Sequence, residues 1–459
     1  MVNVPRLIVA APASGQGKTS ITAGLLAALR TQGLTVSAHK VGPDYIDPGY
    51  HALAAGRVGR NLDPWLVGEE RIAPLFLHGA RTPQPADVAI IEGVMGLYDG
   101  VADRRGFSST AHVAKLLQAP VLLVVDAAAA GRSVAALVHG FASFDREIRV
   151  GGVILNRVGS DRHEQILRDG LDEIGMPVLG AVRRHDALVT PSRHLGLVPA
   201  AERSELARRT VTELGGVVAS AVDLAAVIGL ARSAPPLVGE PWSPEVAEPE
   251  PQRPVIAIAA GPAFTFSYAE TSEMLLAAGA DVQCFDPTVD EELPAGTRGI
   301  VIGGGFPEVH ATALSANLPL RRDLARRIGQ GAAVAAECAG LLYLSRTLDG
   351  APMCDVLATE ASMTPRLTIG YREAVARTSS VLAEAGTRVR GHEFHRTTCT
   401  PAASPAPAWS WEVAGQEVLE GHVQQQLHAS YLHLHWAGLP QAATRFVRAA
   451  ARAELAASR

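Results

Sequence analysis

The sequence predicts an α/β protein of two domains, each built on a mostly parallel sheet. Short apolar runs without polar alternation, such as "RLIVAA" and "DVAIIE", recur between helical patterns, and strands of this kind are buried on both faces. A segment rich in Pro and Glu interrupts this rhythm, which restarts after it. The 459 residues are also too many for one ordinary core.

The domain boundaries follow from composition. We predict an N-terminal domain over residues 1–232, a linker over 233–253 and a C-terminal domain over 254–459. The linker reads "SAPPLVGEPWSPEVAEPEPQR", and no packed element tolerates so many prolines.

Helical and strand patterns differ along the chain. Residues 18–32 and 202–231 read as helices, and "QAATRFVRAAARAELAA" reads as a last helix. Residues 366–436 are richer in strands, with runs such as "TIGYREAV" and "ASYLHLHW". The first domain therefore alternates strands and helices, whereas the second carries additional strands near its end.

Composition excludes several classes of protein. A formal net charge of −5 predicts no general attraction to nucleic acid or to an anionic membrane. No apolar stretch is long enough to predict a membrane span, and the N-terminus lacks a usual signal-peptide layout. The four cysteines form no C-x-x-C pair, which favours a reducing cytoplasm over a disulfide or zinc framework.

The stretch "SGQGKTS" follows a strand and opens a helix, which is the setting of a phosphate-binding loop. Lys18 is expected to neutralise phosphate charge, and Thr19 is expected to bind Mg²⁺ through its hydroxyl. The position usually taken by the first glycine is Pro12. The predicted ATP-binding residues in this loop are Ser14, Gly15, Gln16, Gly17, Lys18, Thr19 and Ser20.

Acidic side chains follow two of the neighbouring strands. Glu92 ends a buried strand and Asp99 lies in the Gly-rich loop after it, so Glu92 is a candidate metal ligand and Asp99 a candidate catalytic residue. Asp44 and Asp47 come from "KVGPDYIDPGYH", where turn formation is the alternative explanation. Together with Thr19, these positions predict the metal ligands Thr19, Asp44, Asp47 and Glu92.

Polar and basic side chains in other loops are candidates for nucleotide and substrate contacts. Asn156 ends the strand in "ILNRV", where its amide is expected to read a nucleotide base or to act as a structural cap. Arginine suits bidentate binding of carboxylates, although most charges in loops are simply solvated. The predicted substrate-binding set is Lys40, Tyr45, Arg57, Arg60, Arg104, Arg105 and Arg132.

Far along the chain, "AVAAECAGLLYL" places Cys338 between a strand and a helix. We expect the helix N-terminus to lower the pKa of the thiol. Small or flexible residues nearby predict an oxyanion hole made by Gly304, Gly305 and Ala339. "HASYLHLHW" offers His433 as a base, with His435 on the same strand face. A buried structural role is the alternative, which we accept for the other three cysteines.

Six motifs together resemble one family. "KVGPDYIDPGYH", "EGVMGLYDG", "IGGGFPE", "AECAGLLYL", "RGHEFH" and "ASYLHLHW" are similar, in order and over essentially the whole chain, to cobyrinic and hydrogenobyrinic acid a,c-diamide synthases. The resemblance implies a P-loop ATPase domain like dethiobiotin synthetase, followed by a triad-type (class I) glutamine amidotransferase domain. It also implies Cys338 as the nucleophile and His433 as its base.

The third member of the implied triad is an open question. Many triad amidotransferases carry Glu two residues after the histidine, and this sequence has His435 there. His435 is therefore the candidate third residue. Ala336 also stands where other members often have Gly.

The resemblance implies a two-step chemistry in which the thiol releases ammonia from glutamine and the nucleotide site consumes it. ATP with Mg²⁺ is expected to phosphorylate a carboxylate of a corrinoid polycarboxylic acid, and ammonia then displaces phosphate, twice per substrate. Because ammonia is protonated in water, we predict a shielded interdomain path. Overall likeness favours metal-free hydrogenobyrinic acid over cobyrinic acid, and a homodimer is a candidate assembly.

Three alternatives remain open at this point. A relative acting on nickel-containing sirohydrochlorin has the same architecture. A partitioning-type ATPase switch has a similar P-loop, but it carries a lysine where this sequence has Ala13. A carboxylation like that of dethiobiotin synthetase, with a degenerate second domain, predicts no dependence on glutamine.

Overall fold

The computed structural model describes residues 3–102, 104–184, 192–193, 196–197, 204–244, 246 and 248–453. The chain divides into two compact units, residues 1–243 and 244–459. Ala234, Leu237 and Trp242 are buried, and the Trp242 N–H donates to the Pro74 carbonyl at 2.9 Å. The first half of the segment predicted as linker is therefore packed into the first unit.

The first unit is built on a seven-stranded parallel sheet in the order β3-β2-β4-β1-β5-β6-β7. The strands β1 and β4 are buried along their whole length, as the unalternating apolar runs predict. Its strands are β1 Arg6–Ala10, β2 Val36–Val41, β3 Arg60–Leu62, β4 Val88–Glu92, β5 Val121–Asp126, β6 Val150–Val158 and β7 Val178–Arg183, with a separate pair β8 Ser192–Arg193 and β9 Gly196–Leu197.

Helices join these strands in sequence. The helix predicted over 202–231 is two helices, because the Asp223 side chain caps a new start by accepting the Ala226 N–H at 2.9 Å; residues 202–203 lie outside the described part. The helices are α1 Lys18–Thr31, α2 Asp47–Ala55, α3 Pro64–Val67, α4 Ile72–Arg81, α5 Thr110–Leu116, α6 Val134–Ser143, α7 Asp161–Asp172, α8 Ser204–Ala221 and α9 Leu224–Arg232.

The strand order positions the first site. Strand β1 pairs with β4 on one side and β5 on the other, so the chain leaves the centre of the sheet in both directions. In parallel sheets, ligands bind beyond the carboxyl ends of the strands where this reversal occurs. The predicted phosphate loop follows β1 directly.

The second unit contains two sheets. One has the order β11-β10-β12-β13-β21-β20 and is parallel except for β20. The other has the order β15-β14-β16-β17-β22; β18 pairs with β16, and β19 pairs with β18. The strands are β10 Val255–Ala259, β11 Asp281–Phe285, β12 Thr297–Ile302, β13 Ala333–Glu337, β14 Thr347–Leu348, β15 Ala351–Pro352, β16 Glu360–Ala376, β17 Arg388–Thr400, β18 Trp409–Val413, β19 Gln416–Glu420, β20 His422–Gln424, β21 Leu427–Ser430 and β22 His433–Leu434.

Five helices complete this unit, and the last one buries an apolar face that includes Phe446 and Val447. Residues 454–457 of the predicted last helix lie outside the described part. Within the described residues, none of the helices combines the length and apolar character needed to span a bilayer. The helices are α10 Ala269–Ala277, α11 Ala311–Ala316, α12 Leu318–Gly329, α13 Ala339–Leu344 and α14 Gln441–Arg452.

Candidate active sites

The loop between β1 and α1 is fastened to neighbouring strand ends. Asn156 Nδ2 donates to the Gln16 carbonyl at 2.9 Å, and Gln16 Oε1 accepts the Asp126 N–H at 2.8 Å. Gly17 has φ 91°, and a Cβ there would lie 2.2 Å from Asn156 Nδ2, so only glycine fits. Asn156 is buried and donates to the loop, which supports the structural alternative, and the predicted contact with a nucleotide base stays a prediction.

Lys18 lies at the start of α1 beside this loop. Its Nζ donates to the carbonyl of Met95 at 2.5 Å and to that of Ala13 at 3.4 Å. Burial and the nearby Lys40 lower the pKa of Lys18 to about 8. No side chain of the described residues caps α1 at Gly17, and a phosphate supplies such a cap through backbone N–H groups.

Three oxygen-bearing side chains meet beside Lys18. The Thr19 hydroxyl donates to Glu92 Oε1 at 2.7 Å and lies 3.3 Å from Asp47 Oδ2. Hydroxyl and carboxylate oxygens are the protein ligands that Mg²⁺ uses together with phosphate, so this set fits the implied metal. If only His, Cys, Asp and Glu side chains are counted, no group of three or more within the described residues could hold a metal ion. The set proposed here has two carboxylates, and its third member is the Thr19 hydroxyl.

Lys40 joins the two carboxylates of this cluster. Its Nζ donates to Asp47 at 2.6 Å, to Glu92 at 2.9 Å and to the Gly93 carbonyl at 3.1 Å. All three protons of the ammonium are used, and the residue is 3% exposed. The predicted contact of Lys40 with substrate is therefore contradicted: the lysine instead holds the carboxylates in place.

His51 is a member of the site that the sequence reasoning missed. Its Nε2 lies 2.6 Å from Glu92 Oε2. Although burial alone would raise the pKa of Glu92, Lys40 and His51 hold it well below its usual range. The signal was present in the sequence, because His51 lies four residues after Asp47 on α2 and so shares its face.

The two remaining acidic candidates take different places. Asp44 Oδ1 accepts the N–H groups of Ile46 and Asp47 at 2.7 and 3.0 Å, so it shapes the turn into α2, as the alternative explanation held, and its metal role stays a prediction. Asp99 accepts the Gly96 N–H at 3.0 Å, and its charge acts on Lys18. Asp99 thus lies close enough to Lys18 for their charges to interact, and its catalytic role stays a prediction.

Several predicted substrate contacts are used within the fold. Arg57 donates to the carbonyls of Gly79, at 2.9 Å, and Thr82. Tyr45 and Arg60 are buried. Arg132 forms a bidentate pair with Glu173 on an exposed surface. Because these side chains are buried or already bonded within the fold, the substrate role of Tyr45, Arg57, Arg60 and Arg132 stays a prediction.

Arg104 and Arg105 line an open groove of about 550 Å³ in the same unit. The Arg104 guanidinium lies 4.7 Å from the ring centre of Trp65. Tyr98, which precedes Asp99, and the 76% exposed Phe144 face each other along this groove with ring centres 4.7 Å apart. The groove therefore joins basic and aromatic groups, and one of its rings belongs to Tyr98, the residue before Asp99.

In the second unit, Cys338 occupies a sharp turn between β13 and α13. Its φ of 48° and ψ of −99° are strained for a residue with a side chain. The Cys338 N–H donates to the Ser430 carbonyl at 2.8 Å, and the Ala339 N–H bonds the thiol. The elbow expected from the sequence is present, and the part of Ala339 in an oxyanion hole stays a prediction.

The predicted lowering of the thiol pKa is wrong. Burial, together with the negative charge of Glu308, raises the pKa of Cys338 well above its usual value, and the Ala339 N–H only partly opposes this. The residue is 4% exposed, and α13 has only six residues, so its N-terminus is a weak source of positive potential.

The His433 ring is held between two surfaces. The His392 ring stacks on it at 4.9 Å with an angle of 13° between planes. On another side, a Cβ at Gly304 would lie 2.5 Å from His433 Cε1. Burial lowers the pKa of His433 to about 3, so the imidazole is neutral at pH 7 and able to accept a proton.

Gly304 differs from its predicted role. Its N–H donates to the Phe266 carbonyl at 3.2 Å, so it is not directed at a reacting oxygen. Gly304 matters because it has no side chain, which leaves room for the His433 ring. The predicted contribution of Gly304 to an oxyanion hole is therefore contradicted, while that of Gly305 stays a prediction.

His435 is placed against other partners than the thiol. Its ring stacks on Tyr268 at 4.3 Å, and its Nε2 lies 3.6 Å from the buried Glu270. Among the ion pairs described in this unit, the carboxylate paired with His433 is that of Glu337. Its Oε2 lies 3.8 Å from His433 Nδ1. Glu337 was not predicted as a site residue. It directly precedes the nucleophile Cys338, and His433, which it faces, lies far away in the sequence.

Comparisons with known proteins cover both units. Residues 7–198 match a family described as the CobQ/CobB/MinD/ParA nucleotide binding domain. Residues 255–440 match a family described as the CobB/CobQ-like glutamine amidotransferase domain. The hydrogenobyrinate a,c-diamide synthase of Streptomyces coelicolor is 58% identical over 97% of each chain. The chain belongs to the a,c-diamide synthase family.

Two further relatives show the two names that members of this family carry. The hydrogenobyrinate a,c-diamide synthase of Thermobifida fusca is 53% identical over 97% of each chain. The cobyrinate a,c-diamide synthase of Gloeobacter violaceus is 45% identical over 96% of each chain. The predicted α/β fold, with a P-loop domain before an amidotransferase domain, is confirmed, and the chain is a glutamine-dependent amide ligase.

Proposed function

We propose that this protein amidates the a and c side-chain carboxylates of hydrogenobyrinic acid, using ATP and ammonia from glutamine. The observation that carries the proposal is the identity of 58% with a relative of that name over both domains, against 45% with the relative named for cobyrinate. Cobyrinic acid is the second candidate. The cytoplasmic location and the homodimer stay predictions.

The glutaminase half starts from neutral groups. His433 accepts the Cys338 proton as the sulfur attacks the glutamine carboxamide carbon and forms a tetrahedral adduct. His433 then protonates the amide nitrogen, the C–N bond breaks, and ammonia leaves behind the glutamyl thioester. Donors near Gly305 and Ala339 hold the oxyanion. Water hydrolyses the glutamyl thioester and restores the thiol.

The ligase half uses fixed charges. Thr19, Asp47 and Glu92 would hold Mg²⁺, which supplies neutralisation of phosphate charge when bound. Lys18 and the loop N–H groups hold the phosphate oxygens, and Lys40 and His51 keep Glu92 ionised and oriented. The substrate carboxylate attacks the γ-phosphorus, and ADP leaves. Ammonia then attacks the resulting acyl phosphate, which gives the amide and releases phosphate and a proton.

The groove next to Asp99 is the proposed place for the corrinoid. A flat macrocycle with several carboxylates matches exposed aromatic rings flanked by cations. Tyr98 and Phe144 offer the rings, and Arg104 and Arg105 offer the cations. Of the seven predicted substrate residues, Arg104 and Arg105 are the two that line this groove.

The direct test is mass spectrometry of reactions containing ATP, Mg²⁺, glutamine and one acid at a time. Two hydroxyl-to-amine replacements on hydrogenobyrinic acid, faster than on cobyrinic acid, are expected. Diamidation of nickel-containing sirohydrochlorin alone would assign the chain to the other substrate. Product formation that is the same without glutamine or ammonium would overturn the ligase proposal.

A further inference from the structure

Glu337 occupies an unusual place for a carboxylate. It is the last residue of β13, directly before the nucleophile, and its side chain is 16% exposed. Burial raises its pKa to about 8, although the Leu434 N–H and the Trp436 indole N–H both donate to it. A carboxylate in such a position costs stability unless it has a function or strong partners.

Its partners all come from the segment that carries the base. Leu434 follows His433, Trp436 lies three residues after it, and His433 Nδ1 is 3.8 Å from Glu337 Oε2. The carboxylate therefore ties the end of β13 to β22. Because Nδ1 faces Glu337, the other ring nitrogen, Nε2, is the one left for the thiol proton.

We propose that Glu337 is the positioning residue of the glutaminase: its carboxylate accepts the His433 Nδ1–H and so keeps Nε2 unprotonated to receive the proton of Cys338. This inference rests on the proposed glutaminase function. The third position of the site is then supplied from the nucleophile's own strand, whereas His435 belongs to a separate pair with Glu270.

The distance of 3.8 Å is longer than a hydrogen bond. Catalytic hydrogen bonds are often long without substrate and shorten when it binds. Glu337 faces His433 on β22 and acts on Cys338 in its own turn. His392 on β17 stacks on His433, and Glu308 in the loop after β12 acts on the thiol. Burial lowers the pKa values of His433 and His392, raises that of the thiol, and raises the pKa of Glu337 to about 8. It also raises the pKa of Glu420, which accepts the Ser430 hydroxyl, to about 8, so the Glu337→Gln comparison decides which of the two carboxylates titrates with activity.

The test compares Glu337→Gln with Glu270→Gln in the full-length enzyme. Glu337→Gln is expected to lower kcat for glutamine hydrolysis about 10²-fold with KM changed less than about 3-fold, a smaller effect than replacing a directly bonded triad carboxylate. The parent's kcat should rise with pH through a pKa near 8, since the ionised carboxylate is the active form, and this rise should vanish in the variant. Glu270→Gln should keep both.

A second variant guards against simple misfolding. Trp436→Phe keeps a ring but removes one donor to Glu337, and it should lower kcat about 3- to 10-fold, between the two glutamine variants. Ammonium-dependent amidation should be unchanged in all three. A Glu337→Gln protein with the parent's kcat and pH profile would overturn the inference, as would an equal loss in Glu270→Gln. Failure of the parent to hydrolyse glutamine would overturn the proposed function instead.

Discussion

The nucleotide site and the thiol site keep their reactive groups in opposite states of charge. In the first, burial alone would lower the pKa of Lys40, but Asp47 and Glu92 raise it well above its usual value. In the second, burial raises the pKa of the Cys338 thiol and lowers that of His433 to about 3. One site is a buried network of ions, and the other is neutral at rest.

The difference follows from what each site must do. ATP brings its own charge, so the first site needs fixed compensating charges that are ready before binding. A thiolate that existed permanently would be open to oxidation and alkylation. A neutral thiol and imidazole create charge only when glutamine accepts it, which couples nucleophile formation to the bound substrate.

The largest expected effect comes from removing the sulfur. Cys338→Ala should lower glutamine hydrolysis by at least about 10⁴-fold, because no other group can form the thioester. Amidation with ammonium salts should continue, since the ionic site is untouched. Glutamate release and product mass report the two activities; loss of both in Cys338→Ala would break the division between the sites.

The reciprocal change is at the phosphate loop. Lys18→Met should lower amidation about 10³-fold with either glutamine or ammonium, because the charge next to the transferred phosphate is lost. Glutamine hydrolysis measured without corrinoid should be within a few-fold of the parent. Rescue of Lys18→Met by ammonium would contradict the assignment of Lys18 to the ligase half.

The neutral state of the thiol predicts how it reacts without substrate. At pH 7, iodoacetamide should label Cys338 at least about 10²-fold more slowly than the exposed Cys284, because burial limits access and the raised pKa leaves little thiolate. Labelling of Cys338 should rise as pH increases. Peptide mass mapping measures both rates, and fast labelling of Cys338 at pH 6 would show a thiolate at rest.

The sequence allowed prediction of the parts of each site that are local. The phosphate loop and the cysteine elbow lie within short stretches whose strand–turn–helix pattern is visible. The contacts of Lys40 with Glu92 and of Gly304 with His433 join segments that are far apart in the chain. Without these contacts, Lys40 was predicted to bind substrate because it lies beside a polar loop. The thiol pKa was mispredicted because a helix start is visible in sequence and burial is not.

Gly304 offers a smaller test of the packing around the base. Gly304→Ala should lower glutaminase kcat by about 10-fold and the free energy of unfolding by about 1–3 kcal/mol, because the added Cβ would lie 2.5 Å from His433 Cε1. Gly329→Ala is the matched control, since nothing lies within 4 Å of that Cβ. Activity assays and denaturant titration should separate the two; equal behaviour would contradict the close contact.

The smallest effect is expected at the exposed arginine pair. Arg132→Ala should leave KM for the corrinoid and the free energy of unfolding unchanged, because this ion pair with Glu173 is exposed to solvent on both sides. Arg105→Ala, in the groove, should raise that KM about 5-fold. Steady-state kinetics decide, and the opposite ranking would move the substrate away from the groove.

The cooperation of the two sites is tested most directly with glutamine labelled with 15N in its amide group. The parent enzyme is incubated with ATP, Mg²⁺, hydrogenobyrinic acid, labelled glutamine and an excess of unlabelled ammonium. Both new amide nitrogens should be 15N, because ammonia released at Cys338 reaches the acyl phosphate before it mixes with solvent. Product nitrogen drawn from the unlabelled pool, while glutamine is hydrolysed, would contradict the transfer of ammonia between the two sites.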